Sequence, residues 1–176
     1  PIYNVIRPVI EVIVKKYQNS SVGVIGTKAT IGSNIYQQKI FELCDNINVP
    51  SLATPLLAPM IEEGFIKGDI SQKIISNYLS HEKLKNINHL VLACTHYPLI
   101  EREISKFFSG KVNIIDSSKI VANYISNELQ NKKLLNKKPQ KDHHFYVSNY
   151  TYSFEKSTKF FFEKTIKLKE VKLFDH

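Results

Sequence analysis

The chain has 176 residues, of which 43% are hydrophobic, 23% charged and 11% aromatic, the make-up of an ordinary globular protein long enough to bury a real core. No run of 18 apolar residues occurs, which excludes a membrane-spanning helix as the expected element, and no basic stretch followed by an apolar one reads as a signal peptide. Two cysteines exclude a disulfide framework and point to a reducing cytoplasm. The net charge of +8 is uneven: from Asn131 onward 11 Lys face 5 acidic residues, while the first 130 residues carry 13 Lys and Arg against 11 acidic ones. This basic excess reads as a solvated lysine-rich surface, and a nucleic-acid partner is not expected. Phe145, Tyr146, Tyr150, Tyr152, Phe154, Phe160, Phe161 and Phe162 fall at strand and helix spacings and are expected in the core rather than on a stacking platform.

In chain order, Ile2, Val5, Ile6, Val9, Ile10, Ile13, Val14 and Tyr17 form a stripe of helical period, so a helix is expected to about Tyr17, broken by Asn19-Ser20-Ser21. Val22 to Gly26 reads as a buried strand. A polar turn, Thr27 to Ser33, follows, with Ser33 capping a helix that carries Tyr36, Ile40, Phe41 and Cys44 on one face. Val49 to Thr54 is a weak strand, Pro59 to Gly64 a helical turn stopped by glycine, and Ile70 to Leu79 an amphipathic helix. Asn88 to Ala93 is a buried strand running straight into Cys94-Thr95-His96-Tyr97-Pro98, then a helix through Ile104 to Phe108. Val112 to Asp116 is a further strand, with Ser117-Ser118 capping a helix to about Leu129. Asn131 to Asp142 is the expected linker. His144 to Ser148 resumes a strand, Ser153 to Lys164 is helical, and Leu168 to Phe174 is a last strand. This alternation predicts an α/β fold with mainly parallel sheets and flanking helices.

Ligands of such folds bind beyond the carboxyl ends of the strands, which here carry Thr27-Lys28-Ala29-Thr30, Cys94-Thr95-His96 and Asp116-Ser117-Ser118. Cys94 stands where a strand passes into a helix, a junction that lowers a thiol's pKa, and His96 is placed to tune it. Cys44 shares a helix with Ile40 and Phe41 and reads as packing. Three chemistries suit Cys94. A Cys–His hydrolase needs a base, for which His143 or His144 would be the distant candidates. A zinc site needs three or four ligands; Cys94 and His96 give two without CxxC or HxxxH, so no metal is expected. The third is proton transfer at a carbon acid, with the thiolate taking a proton on one face of the carbon. The Gly26–Gly32 loop lacks both the P-loop and the G-x-G-x-x-G pattern, and its hydroxyls are suited to a carboxylate.

Val24-Ile25-Gly26-Thr27-Lys28-Ala29-Thr30-Ile31-Gly32-Ser33-Asn34-Ile35-Tyr36 and Leu92-Ala93-Cys94-Thr95-His96-Tyr97-Pro98-Leu99-Ile100 resemble two signatures of bacterial glutamate racemase. Pro55 to Gly64 and Ile114-Ile115-Asp116-Ser117 support the resemblance, which is strong to about Leu129 and thinner beyond. It implies two α/β lobes with the site between them, and L- and D-glutamate interconverted in the cytoplasm without cofactor or metal, supplying D-glutamate for peptidoglycan. It further implies that two cysteines act on opposite faces of the substrate α-carbon. Cys94 is one, assisted by His96; Thr95 and His96 touch the substrate, Thr27 and Thr30 hold its carboxylate or ammonium group, and Glu62 or Glu63 lines the pocket mouth. The family's other cysteine lies in Cys-Asn-Thr, and its substrate also meets an early Asp-Ser pair; Cys44 in Glu42-Leu43-Cys44-Asp45 does not fit, and neither motif stands before Pro1. The chain therefore reads as the back part of a racemase, with residues 1–116 forming the second lobe and 117–176 the closing segment of an incomplete first lobe. On this reading it is inactive alone. An aspartate-type racemase and a non-catalytic basic binding module remain the rival readings, and a homodimer remains open.

Overall fold

The computed structural model describes residues 1–136, 138 and 143–172, and only the backbone of Ser153. Its main sheet has four strands, β1 (Val22–Gly26), β2 (Ser51–Ala53), β3 (His89–Leu92) and β4 (Asn113–Asp116), all parallel in the order β2-β1-β3-β4. Val24 lies opposite both Ser51 and Val91, and Leu90 opposite Ile114. β1 is buried at every residue, which explains a strand sequence with no polar alternation: a parallel sheet is covered on both faces.

The pleat sends alternate side chains to two cores. On one face Ile25, Leu90 and Leu92 pack with Leu57, Ile61, Ile75, Tyr97 and Ile104 from α4 (Leu57–Glu62), α5 (Asp69–Leu79), a 3-10 turn (Tyr97–Ile100) and α6 (Glu101–Phe107). On the other, Val22, Val24, Val91 and Ile115 pack with Val9, Ile13, Ile40 and Val121 from α1 (Arg7–Lys16), α3 (Ile35–Leu43) and α7 (Ser117–Asn131). Each fully buried aliphatic side chain contributes about 1.5–3 kcal/mol of transfer free energy.

Several local expectations are corrected. The first helix starts at Arg7, not Ile2: Asn4 Oδ1 accepts from the Ile6 and Arg7 N–H groups, and Ile2 is fully exposed. The Thr27–Ser33 turn contains a short helix, α2 (Lys28–Gly32), capped by Thr27 Oγ1, which accepts from Thr30 N. The N-cap position of α3 is Asn34, at φ 53°, one residue past Ser33, whose hydroxyl donates to Thr30 O and accepts a long bond (3.4 Å) from Ile35 N. Phe41 is 72% exposed, because one residue past Ile40 points about 100° away from the buried face. Asp116, not Ser117 or Ser118, caps α7, its Oδ1 accepting from Ser118 N and Lys119 N.

Beyond α7, β5 (Phe145–Val147), α8 (Tyr152–Phe162) and β6 (Leu168–Glu170) form a second, two-stranded parallel sheet with its crossover helix. The aromatic residues expected in a core here are outside it: Tyr146, Tyr152, Phe154, Phe160, Phe161 and Phe162 are all exposed. Two strands and one helix enclose too little space for them, and the buried centre is Thr158 and Ile166. The expected linker at 131–142 falls partly outside the described residues, as does the end of the expected last strand at 173–174. Among the described residues no helix is long and apolar enough to cross a membrane.

Candidate active site

The strand order places a switch point between β1 and β3. The chain leaves β1 toward β2 on one side and β3 toward β4 on the other, so the place where ligands of such folds bind lies beyond Gly26 and Leu92. The Thr27–Thr30 turn and the Cys94–His96 turn border it. They abut closely: a Cβ on Gly26 would lie 3.3 Å from both Ala93 O and Thr30 Cγ2. Glycine is what lets the two loops approach.

The Cys94 turn is locked from below. Tyr97 is fully buried; its hydroxyl donates to Thr54 O (3.1 Å) and lies 2.7 Å from Thr54 Oγ1. Thr54 in turn donates to Gly26 O through its N–H (2.9 Å) and its hydroxyl (3.3 Å). One buried polar chain thus ties the ends of β1 and β2 to the residue after His96, with each polar group satisfied.

At the surface of this turn Cys94 Sγ is 3.7 Å from His96 Nδ1, and His96 Nε2 is 3.1 Å from Glu62 Oε1. The Glu62 carboxylate only accepts, so the Nε2 that faces it carries a proton, and in the neutral ring this leaves Nδ1 as an acceptor facing the thiol. The Cys94 thiol can therefore donate to His96 and pass it a proton. Burial, with a smaller push from the Glu62 charge, nonetheless raises the Cys94 pKa above its ordinary 9.0; hydrogen bonds from the His96 and Tyr97 N–H groups oppose the rise. The lowered value expected from a helix start is thereby corrected. The reason is geometric: a 3-10 turn follows Cys94, and α6 begins only at Glu101, too far on for its N-terminal dipole to reach the sulfur.

No family model matches the sequence. Curated glutamate racemases do: that of Aquifex aeolicus is 41% identical over 132 residues, 75% of this chain and 50% of the relative, and that of Chlorobium phaeobacteroides is 36% identical over 167 residues, 94% and 61%. The solved structure of a glutamate racemase isoform from Bacillus anthracis superposes with a TM-score of 0.89 at 32% identity, over 98% of this chain and 65% of that one. The glutamate racemase of Francisella tularensis, solved in complex with D-glutamate, gives 0.86 at 35% identity, over 97% and 64%. By sequence and fold, the chain resembles glutamate racemases. It spans less than two thirds of the length of these relatives. An aspartate racemase from Picrophilus torridus, with a TM-score of 0.52 at 23% identity, shares the fold alone.

Within this chain, Cys94, His96 and Glu62 are in one line, and Thr27 and Thr30 are paired through their hydroxyls at 3.0 Å on the neighbouring turn. Thr95 is exposed at the tip of the Cys94 turn. Of Glu62 and Glu63, it is Glu62, the last residue of α4, whose carboxylate reaches His96 Nε2, and Glu63 follows it as the C-cap of the helix. Cys44 donates to Asn46 Oδ1 and packs with the opposite core, across the sheet from Cys94. Two features escaped the sequence reading. The Thr54–Tyr97 pair joins positions 43 residues apart, and Phe161, from α8, sets its ring 5.8 Å from that of His96. Nothing local in the sequence signals either contact.

Proposed function

We propose that this chain carries one of the two proton-transferring faces of a glutamate racemase. The observation that supports it best is the Cys94–His96–Glu62 line, set beside the Thr27–Thr30 hydroxyls at the switch point of the sheet. Cys94, its proton accepted by His96 Nδ1, takes the α-proton of one glutamate enantiomer as a thiolate and returns it in the reverse direction. Thr27 and Thr30 hold the substrate carboxylate or ammonium group, and Thr95 meets the substrate from the tip of its turn. A carbon acid this weak needs more than a base: orientation and charges aimed at the developing carbanion supply most of the rate. The reaction uses thiols in place of a cofactor, and its D-glutamate feeds peptidoglycan synthesis.

The second thiol acts from the other face of the α-carbon. Cys44 is on the wrong side of the sheet for this and is not followed by Asn-Thr. In this reading residues 1–116 make up the lobe that carries Cys94, residues 117–176 close a first lobe, and the partner cysteine comes from outside the 176 residues.

The test is racemisation followed by circular dichroism of glutamate. The chain alone is expected to give none. Co-expressed with the segment of a relative that this chain does not cover, it is expected to give activity, lowered about 10²–10⁴-fold by Cys94→Ser. Robust turnover by the 176 residues alone, or reconstituted activity indifferent to Cys94→Ser, would falsify the proposal.

A further inference from the structure

Two successive aromatic residues of α8 lie against the His96 ring and against the turn that follows Glu62. The Phe161 ring meets the His96 ring edge to face, with centroids 5.8 Å apart and planes at 71°. Phe160 lies over Gly64, where a Cβ would come within 3.2 Å of its Cζ. Gly64, at φ 82°, ends α4 two residues after Glu62: its N–H donates to Ile61 O and that of Phe65 to Met60 O, a Schellman closure. One short stretch of α8 therefore lies against the imidazole with one ring and, with the next, against the turn that closes α4 two residues past Glu62.

We infer that Phe160 and Phe161 are positioning residues, a clamp from α8 that holds His96 and Glu62 in line with Cys94. The inference rests on the reading of Cys94 as the reacting thiol. The two polar contacts of His96 fix where its nitrogens point but leave the ring free to tilt about the line between them. Glu62, more than half exposed, is a flexible anchor. The edge contact of Phe161 supplies the missing restraint, and an aromatic ring prefers that geometry. Phe160 restrains the Gly64 turn that closes α4, a helix of only six residues, Leu57–Glu62, and through that turn the end of the helix that carries Glu62. Seating of α8 and readiness of the thiol are then a single event: when α8 lifts, His96 loosens and Cys94 gives up its proton less easily.

The experiment is the pH profile of Cys94 alkylation by iodoacetamide, in the 176-residue chain carrying Cys44→Ser so that a single thiol reports. Phe161→Ala is expected to move the profile to higher pH and to slow alkylation near neutral pH by about three- to ten-fold, the size of an aromatic edge contact. Phe161→Tyr, which keeps the ring, is expected to restore the parent profile. In a His96→Asn background Phe161→Ala is expected to change nothing further, the signature of action through His96. A parent-like profile in Phe161→Ala, or an equal shift with His96 already removed, overturns the inference. If Phe161→Ala loses its far-ultraviolet dichroism, Phe161→Leu and Phe160→Leu are measured in the same way, a shift supporting the clamp and its absence overturning it. Failure of the racemase reading shows separately, as absent turnover after reconstitution, and leaves the alkylation profile interpretable.

Discussion

The β2-β1-β3-β4 sheet and the β5–β6 pair are both parallel, yet only the first is finished. In the four-stranded sheet Val24, Ile25, Leu90, Val91 and Leu92 have no exposed surface, with helices on both faces. In the two-stranded one Tyr146 is 57% and Phe154 51% exposed. Polar bonds do much of the holding there: Thr158 Oγ1 donates to Glu155 O and accepts from Ile166 N, and Glu155 Oε2 accepts from Leu168 N. Parallel strands lack a hairpin to join them and depend on cover from both sides. The difference divides the candidate site as well. Cys94 and Thr27 stand on turns bolted to the four-stranded sheet through Tyr97, Thr54 and Gly26, whereas His96 and the Gly64 turn that follows Glu62 lie against rings of α8.

The largest expected effect tests where stability resides. Leu90→Ala should cost about 2–5 kcal/mol, the range for emptying a buried leucine site. Phe154→Ser should fall within about 0.5 kcal/mol, as exposed substitutions do. Urea unfolding followed by circular dichroism measures both, and similar losses would break the contrast. Next in size is Asp116→Ala, which removes the cap of α7 from a buried carboxylate and should cost about 0.5–2 kcal/mol. Asp116→Asn keeps an acceptor and should recover most of it in the same measurement.

The sequence disclosed what depends on near neighbours. β1 and β3 were legible because strands covered on both faces are continuous apolar runs, and α5 because its buried Ile75 and Leu79 keep helical spacing. Cys94, Thr95 and His96 were legible as candidates because they stand within three residues. What stayed hidden needed a direction in space. Glu62 and Glu63 differ by about 100° around a short helix, and only the packing of α4 shows which faces His96. Asp116, Ser117 and Ser118 are three capping residues in a row, and the end of β4 at Asp116, in register with Leu92, decides among them. α2 has no buried residue and hence no apolar stripe to announce it. The aromatics of α8 have helical spacing, but spacing cannot show that this helix covers only a pair of strands.

A third prediction concerns Cys94. Its pKa is raised in the folded chain, so above the ordinary value of 9.0 the unfolded thiol loses its proton while the folded one keeps it. The unfolded state then binds fewer protons, and stability falls as pH rises through the folded value. Cys94→Ser should remove that part of the alkaline loss, read as the difference between the two chains' urea midpoints across the alkaline range. An identical alkaline decline in both would show that the thiol is not held in the buried setting described, and so would blur the rigid half of the contrast.

The smallest effect belongs to His89, at the opposite end of β3 from Cys94. Its ring stacks on Tyr17 at 3.9 Å, and Asn113, opposite it in the register with β4, places Nδ2 3.3 Å from His89 Nδ1 while donating to the Tyr17 hydroxyl at 3.2 Å. An amide N–H pointing at Nδ1 suits the neutral ring, and protonation would set two donors against each other. Burial pushes the His89 pKa below its ordinary 6.5. The unfolded chain therefore takes up the proton first, so the contribution is complete above about pH 6.5 and is lost as pH falls through the folded value. His89→Gln should flatten the acid side of the stability profile, modestly because the ring is only partly buried. It should leave the Cys94 alkylation profile where it is, since the whole length of β3 separates the two groups. A change in both would mean that the two ends of the finished sheet are coupled, and the division between a rigid sheet and an adjustable α8 would have to be redrawn.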